Sequence, residues 1–88
     1  MTEKSVYEPF SLIKLSLDEQ VYIKLRGARE MVGKLLGYDS HCNMVLSDAT
    51  ETIFVVDEEN SEPKTITKKS ETIFIRGDSV ILVSNAQD

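Results

Sequence analysis

The chain has 88 residues, a length that fits a single domain, and 41% of them are hydrophobic, which is enough to form a core. Its net charge of −5 argues against a general nucleic-acid binder, whose affinity would come from a broad basic surface, although a small local site is still compatible with it. The single cysteine, Cys42, excludes an internal disulfide and is typical of a reducing compartment.

The N-terminal part predicts a tail and one short helix. Residues 1–7 are polar and predict a flexible tail. Proline fits the first turn of a helix, so the sequence from Glu8 to Phe10 predicts a helix start, and we expect the helix to run to about Leu15. This segment lacks the apolar centre of a secretory leader, so we expect none.

Two strands are predicted next. Apolar and polar residues alternate from Val21 to Arg26, which is typical of a half-buried strand with Lys24 and Arg26 on its wet face. A second strand is predicted over residues 31–38. Its two glycines favour a sharp bend or a close approach of neighbouring backbone, as in a small, strongly curved sheet.

The third apolar segment runs from Met44 to Val56 but is interrupted by the pair Ser47-Asp48. This pair predicts either a kink in one long strand or a break between two strands. The polar and charged stretch that follows, residues 57–69, predicts a loop of variable length. Residues 65–67 have the composition to extend a strand into that loop.

The last two strands are predicted over residues 72–75 and 79–84, with a tail at 85–88. Only the pair Gly77-Asp78 separates the two strands, which favours a hairpin-like connection. Five bent strands and one helix predict an all-β fold, a small open barrel. Apolar, unprotected edge strands associate, so we expect the isolated chain to form a homo-oligomeric ring of about six to eight copies.

Two polar turns carry the residues with the most chemistry. The first turn (residues 39–43) offers an acid, an imidazole and an amide at alternate positions, Asp39, His41 and Asn43. The second turn (residues 76–78) offers a guanidinium and a glycine, Arg76 and Gly77. An imidazole and a guanidinium can each stack on a base, and an amide can bind a base edge. If the fold brings both turns together, they form a pocket for one unstacked nucleotide.

Each of these residues also has a plainer interpretation. Asp39 and Asn43 are common in turns, where they bond their own backbone, and Asp39 is also placed to orient Asn43. Arginine on a protein surface often forms ion pairs that contribute little to stability, and this is the plainer interpretation of Arg76. Gly77 indicates either a positive φ angle or a close approach of a ligand. A structural zinc site needs about four ligands, and one histidine beside one cysteine does not supply them. The two residues are also no catalytic pair, because adjacent side chains of an extended chain point apart. We therefore expect no metal, no other cofactor and no enzyme activity.

Together these segments resemble the Sm-like (LSm) family. The first Sm motif is matched by Gly33, Leu35, Tyr38, Asp39, His41, Asn43, Met44 and Leu46. The second is matched by Ile75-Arg76-Gly77-Asp78 and Val80. The likeness covers residues 8–84, with the first motif within about 20–56, the variable loop at 57–69 and the second motif within 70–84. Within the family it is strongest to the number-three member of the eukaryotic set, through His41 and the stretch 17–26.

The resemblance implies the Sm fold, an SH3-like barrel of five strongly bent antiparallel strands with an N-terminal α-helix. It implies a heteroheptameric ring with other Sm-like subunits, in which the fourth strand of one subunit pairs with the fifth of the next. It implies binding of uridine-rich RNA 3′ ends, including U6 small nuclear RNA in pre-mRNA splicing and messenger RNA in decapping-linked decay, and hence a place in nucleus and cytoplasm. The residues expected to contact RNA are His41, Asn43, Arg76 and Gly77, with Asp39 orienting Asn43.

Two other functions stay open at this point. One is a structural ring subunit whose pocket contributes little to RNA affinity. The other is a small barrel that binds peptides, but such sites are lined by several aromatic residues. The chain has three Tyr, three Phe and no Trp, and almost none of them fall in the two turns. No apolar run is long enough to span a bilayer, so we expect no membrane partner.

Overall fold

The computed structural model describes residues 13–56 and 63–86. Most of the predicted helix, residues 8–12, lies outside the described residues, and the helical residues that are described are Ile13 and Lys14. The strands are β1 (Gln20–Leu25), β2 (Arg29–Tyr38), β3 (Met44–Val56), β4 (Pro63–Ile75) and β5 (Val80–Asn85). They form one antiparallel sheet in the order β4-β3-β2-β1-β5, which confirms the predicted all-β architecture of five strands.

The connection between β4 and β5 differs from the prediction. The two strands do not form a hairpin, because they lie at opposite edges of the sheet. A short 3₁₀ turn, Gly77–Ser79, carries the chain from one edge to the other. Since only four residues, 76–79, separate β4 from β5, the sheet must curl until its two edges approach each other at this point.

The predicted variable loop is also shorter at its C-terminal side. Residues 63–69 are the first half of β4, because β3 continues to Val56 and pairs with them along their whole length. Residues 57–62 lie outside the described residues. In the predicted C-terminal tail, Asn85 is the last residue of β5 and pairs with Val21, and residues 87–88 lie outside the described part.

β3 is one long strand with a kink, one of the two alternatives that the sequence predicts. Two residues of β3, Asp48 and Ala49, stand opposite Gly33 of β2, and Asp48 has a φ of 50°. A Cβ on Gly33 would lie 3.1 Å from the Cα of Ala49, so a side chain there would press the two strands apart. An extra residue in one strand bends it and increases its twist, so β2 and β3 curve together at this point.

The core lies on one face of the curled sheet. Alternate residues of each inner strand are buried, as Val21, Ile23 and Leu25 are in β1. The buried hydrophobic residues are Ile13, Val21, Ile23, Leu25, Met31, Leu35, Met44, Leu46, Ala49, Ile75 and Val83. Apart from Ser16, the buried residues of the described part are apolar, so ligand chemistry is expected in the polar groups of the turns.

Candidate nucleic-acid interface

The first turn, between β2 and β3, is built around the carboxylate of Asp39. Its Oδ1 accepts hydrogen bonds from the main-chain N–H of His41 at 2.8 Å and of Asn43 at 3.1 Å. Its Oδ2 accepts a third from the side-chain Nδ2 of Asn43 at 2.9 Å. This last contact is the one that the predicted orienting role of Asp39 requires.

These hydrogen bonds also fix the charge of Asp39. The amide side chain of Asn43, followed by the backbone N–H of His41, lowers the pKa of the Asp39 carboxyl from its ordinary value of 3.8. The group is therefore ionised at neutral pH and can only accept hydrogen bonds. It follows that Asn43 must turn its NH₂ group, and not its carbonyl oxygen, toward Asp39.

A single hydrogen bond joins the first turn to the second. The main-chain N–H of Gly77 donates to Oδ1 of Asn43 at 2.6 Å. The Asn43 amide is thus held at both ends, by an acceptor on its nitrogen and by a donor on its oxygen. One N–H and one lone pair of the amide remain for a ligand. The fold therefore brings together the two polar turns that the sequence singled out.

Gly77 is required by close packing. Among the described glycines only Gly27 has a positive φ, so the positive angle predicted as one option for Gly77 is wrong. A Cβ on Gly77 would overlap the main-chain carbonyl oxygen of His41 and lie 2.8 Å from its carbonyl carbon. A close approach at Gly77 is therefore present to the protein's own backbone in the first turn, and the predicted approach of a ligand stays a prediction.

Neighbouring residues His41 and Cys42 point in different directions. Cys42 has a φ of 67°, is half-buried and packs against the core. The side chain of His41 is exposed. A positive φ is uncommon for a residue with a side chain, and here it turns the thiol inward and leaves the imidazole outside.

The predicted site residues line one cleft of about 410 Å³, formed by His41, Asn43, Arg76, Gly77 and Asp78. This volume is within the range of small-ligand sites. The guanidinium of Arg76 is 74% exposed and forms an ion pair with Asp78 at 2.9 Å. Because the pair is solvated, it contributes little to stability and leaves the guanidinium plane available to a ligand.

One residue that supports the cleft was not predicted. Arg26, predicted to be only a solvent-facing strand residue, donates from Nε to the main-chain carbonyl of Asp78 at 3.0 Å. Its main-chain N–H donates to the carbonyl of Ser79 at 2.9 Å. The alternation of apolar and polar residues from Val21 to Arg26 cannot indicate a hydrogen-bond partner 52 positions away.

In residues 13–56 and 63–86, no three His, Cys, Asp or Glu side chains are grouped to hold a metal ion. No helix of this part is long and apolar enough to cross a membrane. The described geometry is therefore that of a small curled β-barrel with a polar cleft large enough for one base, bordered by an amide, an imidazole and a guanidinium.

Comparison with known proteins identifies the class to which this geometry belongs. The LSM domain family profile matches residues 11–85, so the chain belongs to the LSM-domain, or Sm-like, family. The LSM complex subunit lsm3 of Schizosaccharomyces pombe is 52% identical over 85 residues, covering 92% of this chain and 91% of the relative. The probable U6 snRNA-associated Sm-like protein LSm3 of Dictyostelium discoideum is 51% identical over 86 residues, covering 93% and 89%. The predicted resemblance to the number-three member is confirmed.

Solved structures agree with this assignment. The Sm protein of Pyrococcus abyssii, determined in complex with a uridine heptamer, superposes with a TM-score of 0.71 at 35% identity, covering 91% of this chain and all of the other. A heptameric archaeal Sm protein superposes with a TM-score of 0.66 at 30% identity, covering 88% and 98%. The predicted Sm fold is confirmed for the described strands.

Proposed function

We propose that this chain is a non-catalytic, RNA-binding subunit of a heteroheptameric Sm-like ring that takes uridine-rich RNA 3′ ends. The observation that supports this most directly is the Asn43 amide, held between the Asp39 carboxylate and the Gly77 N–H. An amide held in this way presents one donor and one acceptor in a fixed order to a base in the cleft.

The fixed order of donor and acceptor supports a preference for uracil. Uracil carries a donor, N3–H, next to the acceptor O4, and this pair complements the remaining N–H and lone pair of Asn43. Cytosine has an unprotonated N3 next to an amino group, which reverses the pattern for a base that stacking holds in one orientation. Asn43 cannot flip to match cytosine, because its nitrogen would then face the Gly77 N–H and its oxygen the Asp39 carboxylate.

Stacking supplies the second part of the proposed contact. The exposed imidazole of His41 and the exposed guanidinium of Arg76 border the same cleft. Planar groups of both kinds stack on bases, and a base–aromatic stack is worth about 1–3 kcal/mol. With a net charge of −5, the chain has no general attraction for RNA, so affinity must come from pocket contacts repeated around a ring.

The sheet order supports ring assembly. β4 and β5 form the two edges of the described sheet, and apolar side chains stand exposed on both, with Phe74 60% and Ile81 51% exposed. An edge strand with exposed apolar residues associates with another strand. The heptameric archaeal Sm protein and the fission-yeast complex subunit support such an assembly with other Sm-like subunits.

The cellular part of the proposal follows from the relatives. The amoebal relative is described as U6 snRNA-associated, which supports binding of U6 small nuclear RNA in splicing, in the nucleus. We extend the proposal to messenger RNA decay in the cytoplasm, as the family resemblance implies. A structural subunit with little RNA contact of its own is the alternative.

Equilibrium binding of labelled oligouridine and oligocytidine at fixed salt tests the proposal. The wild-type ring is expected to prefer oligouridine and to lose affinity when a structured extension blocks the 3′ end. Asn43→Ala is expected to cost about 1–3 kcal/mol per bound nucleotide and most of the base preference. Asn85→Ala, the same change outside the cleft, is the control. Equal binding by the wild-type and Asn43→Ala rings would favour the structural-subunit alternative.

A further inference from the structure

The second turn is held from two sides, and only one of them belongs to the cleft. On the cleft side, Asn43 accepts from the N–H of Gly77. On the far side, Arg26 donates to two successive carbonyls, from its Nε to Asp78 and from its N–H to Ser79. These bonds hold the peptide groups Asp78–Ser79 and Ser79–Val80, at the C-terminal side of the second turn.

Arg26 is itself anchored to the body of the sheet. Its carbonyl accepts a hydrogen bond from Nε of Arg29 at 3.1 Å. Nη1 of Arg29 lies 3.4 Å from Oε2 of Glu51 on β3, and the Glu51 side chain is only 13% exposed. Contacts therefore run from β3 through the β1–β2 turn to the second turn, and none of these supporting side chains lines the cleft.

We propose that Arg26 is a positioning residue of the RNA site. By holding the carbonyl of Asp78, the Arg26 side chain fixes the distance between the second turn and the first. At this distance the Gly77 N–H can donate to Asn43, and the Arg76 guanidinium borders the cleft. The inference rests on the proposed function, since it assigns a supporting residue to that site. It differs from a phosphate-binding role, because the proposed effect depends on the hydrogen bond from Nε to a main-chain carbonyl and not on the charge of the guanidinium.

Three variants of the full-length ring separate these roles. Arg26→Met removes the donor and the charge but keeps an apolar stem. Arg26→Gln restores an N–H donor at the same number of bonds from Cα as Nε, without the charge. Lys24→Met removes one charge from an exposed residue of β1, two positions before Arg26, and serves as the matched control.

The first measurement is amide hydrogen exchange of residues 77–79 in the RNA-free ring. We expect faster exchange in Arg26→Met, exchange near the wild-type rate in Arg26→Gln and no change in Lys24→Met. This readout does not depend on RNA, so a wild-type ring that fails to bind oligouridine would refute the proposed function while the positioning role is still tested. Unchanged exchange in Arg26→Met would overturn the positioning role.

The second measurement is the salt dependence of oligouridine binding. Loss of one hydrogen bond corresponds to about a fivefold weaker affinity for Arg26→Met, with a smaller preference for uridine over cytidine and an unchanged slope of log affinity against log salt. A lost phosphate contact would instead lower that slope by about 0.7 and leave the base preference intact. That outcome, or a failure of Arg26→Gln to recover binding, would make Arg26 an electrostatic contact and overturn the inference.

Discussion

The carbonyl group of His41 occupies the space that a side chain on residue 77 would need, so Gly77 is in contact with the backbone of the first turn. The N–H of this glycine is the donor to Asn43. Packing and hydrogen bonding thus converge on one residue, and the two turns cannot separate at Gly77 without losing both.

We predict that Gly77→Ala opens the cleft. The added methyl group forces the second turn away from His41, and overpacking of this kind costs about 1–3 kcal/mol in the free energy of unfolding. The Asn43–Gly77 hydrogen bond is lost with it, so oligouridine binding is expected to fall below detection. Gly37→Ala is the matched control, because a Cβ there meets nothing within 4 Å. Equal denaturation midpoints for the two variants would contradict the close approach.

Replacing His41 tests the stacking contact. His41→Ala is expected to weaken oligouridine binding by about 1–3 kcal/mol for each nucleotide held, with little change in thermal stability because the side chain is exposed. His41→Phe offers a larger aromatic face and is expected to bind at least as well as the wild type. Fluorescence anisotropy at fixed salt measures both. Tight binding by His41→Ala would remove the imidazole from the site.

The lowered pKa of Asp39 predicts how the first turn responds to acid. Because the folded-state pKa lies below the unfolded value, the three hydrogen bonds stabilise the protein above about pH 3.9 and are lost as pH falls through the lower, folded-state pKa. Asp39→Asn is therefore expected to be less stable than wild type at pH 7, and the difference is expected to shrink as the pH falls through the lowered pKa of Asp39 in the folded state. Urea denaturation across this range measures it. Asp48→Asn, an exposed acid outside the turn, is the control.

A charge on an edge strand is expected to block assembly. Ile81 lies on the edge strand β5 and is 51% exposed, so Ile81→Glu places a carboxylate where a neighbouring strand would pair. Native mass spectrometry of the isolated chain should show a ring for wild type and smaller species for the variant. Leu36→Glu introduces the same charge at 45% exposure on the inner strand β2 and should leave the ring intact. A monomeric wild type at micromolar concentration would refute ring formation.

The strands and the two turns were predictable because their signals are local. The period-two alternation from Val21 to Leu25 predicted β1, and the glycine pattern of β2 predicted the curvature that Gly33 permits against Ala49. The sequence predicts a pocket only if the fold brings the two turns together. It cannot predict that they meet, because no local pattern determines the distance between residues 43 and 77.

The errors have a different origin. Residues 63–69 are polar enough to be a loop, but pairing with β3 makes them a strand, because a complete antiparallel partner outweighs composition. The pair Gly77-Asp78 is of a type found in hairpins, yet sheet order places its flanking strands at opposite edges. The sequence predicts an Arg26 side chain that only faces solvent, because the carbonyl that accepts its hydrogen bond lies on a distant part of the chain.

The four-residue segment 76–79, which contains the 3₁₀ turn Gly77–Ser79, has two geometric roles at once. It places Gly77 beside the first turn, and it joins the two strands that form the open edges of the sheet. In a ring closed through those edges, the angle between them sets how many members complete the circle. In such a ring, the diameter of the central opening and the shape of each nucleotide pocket both depend on the conformation of this one short segment.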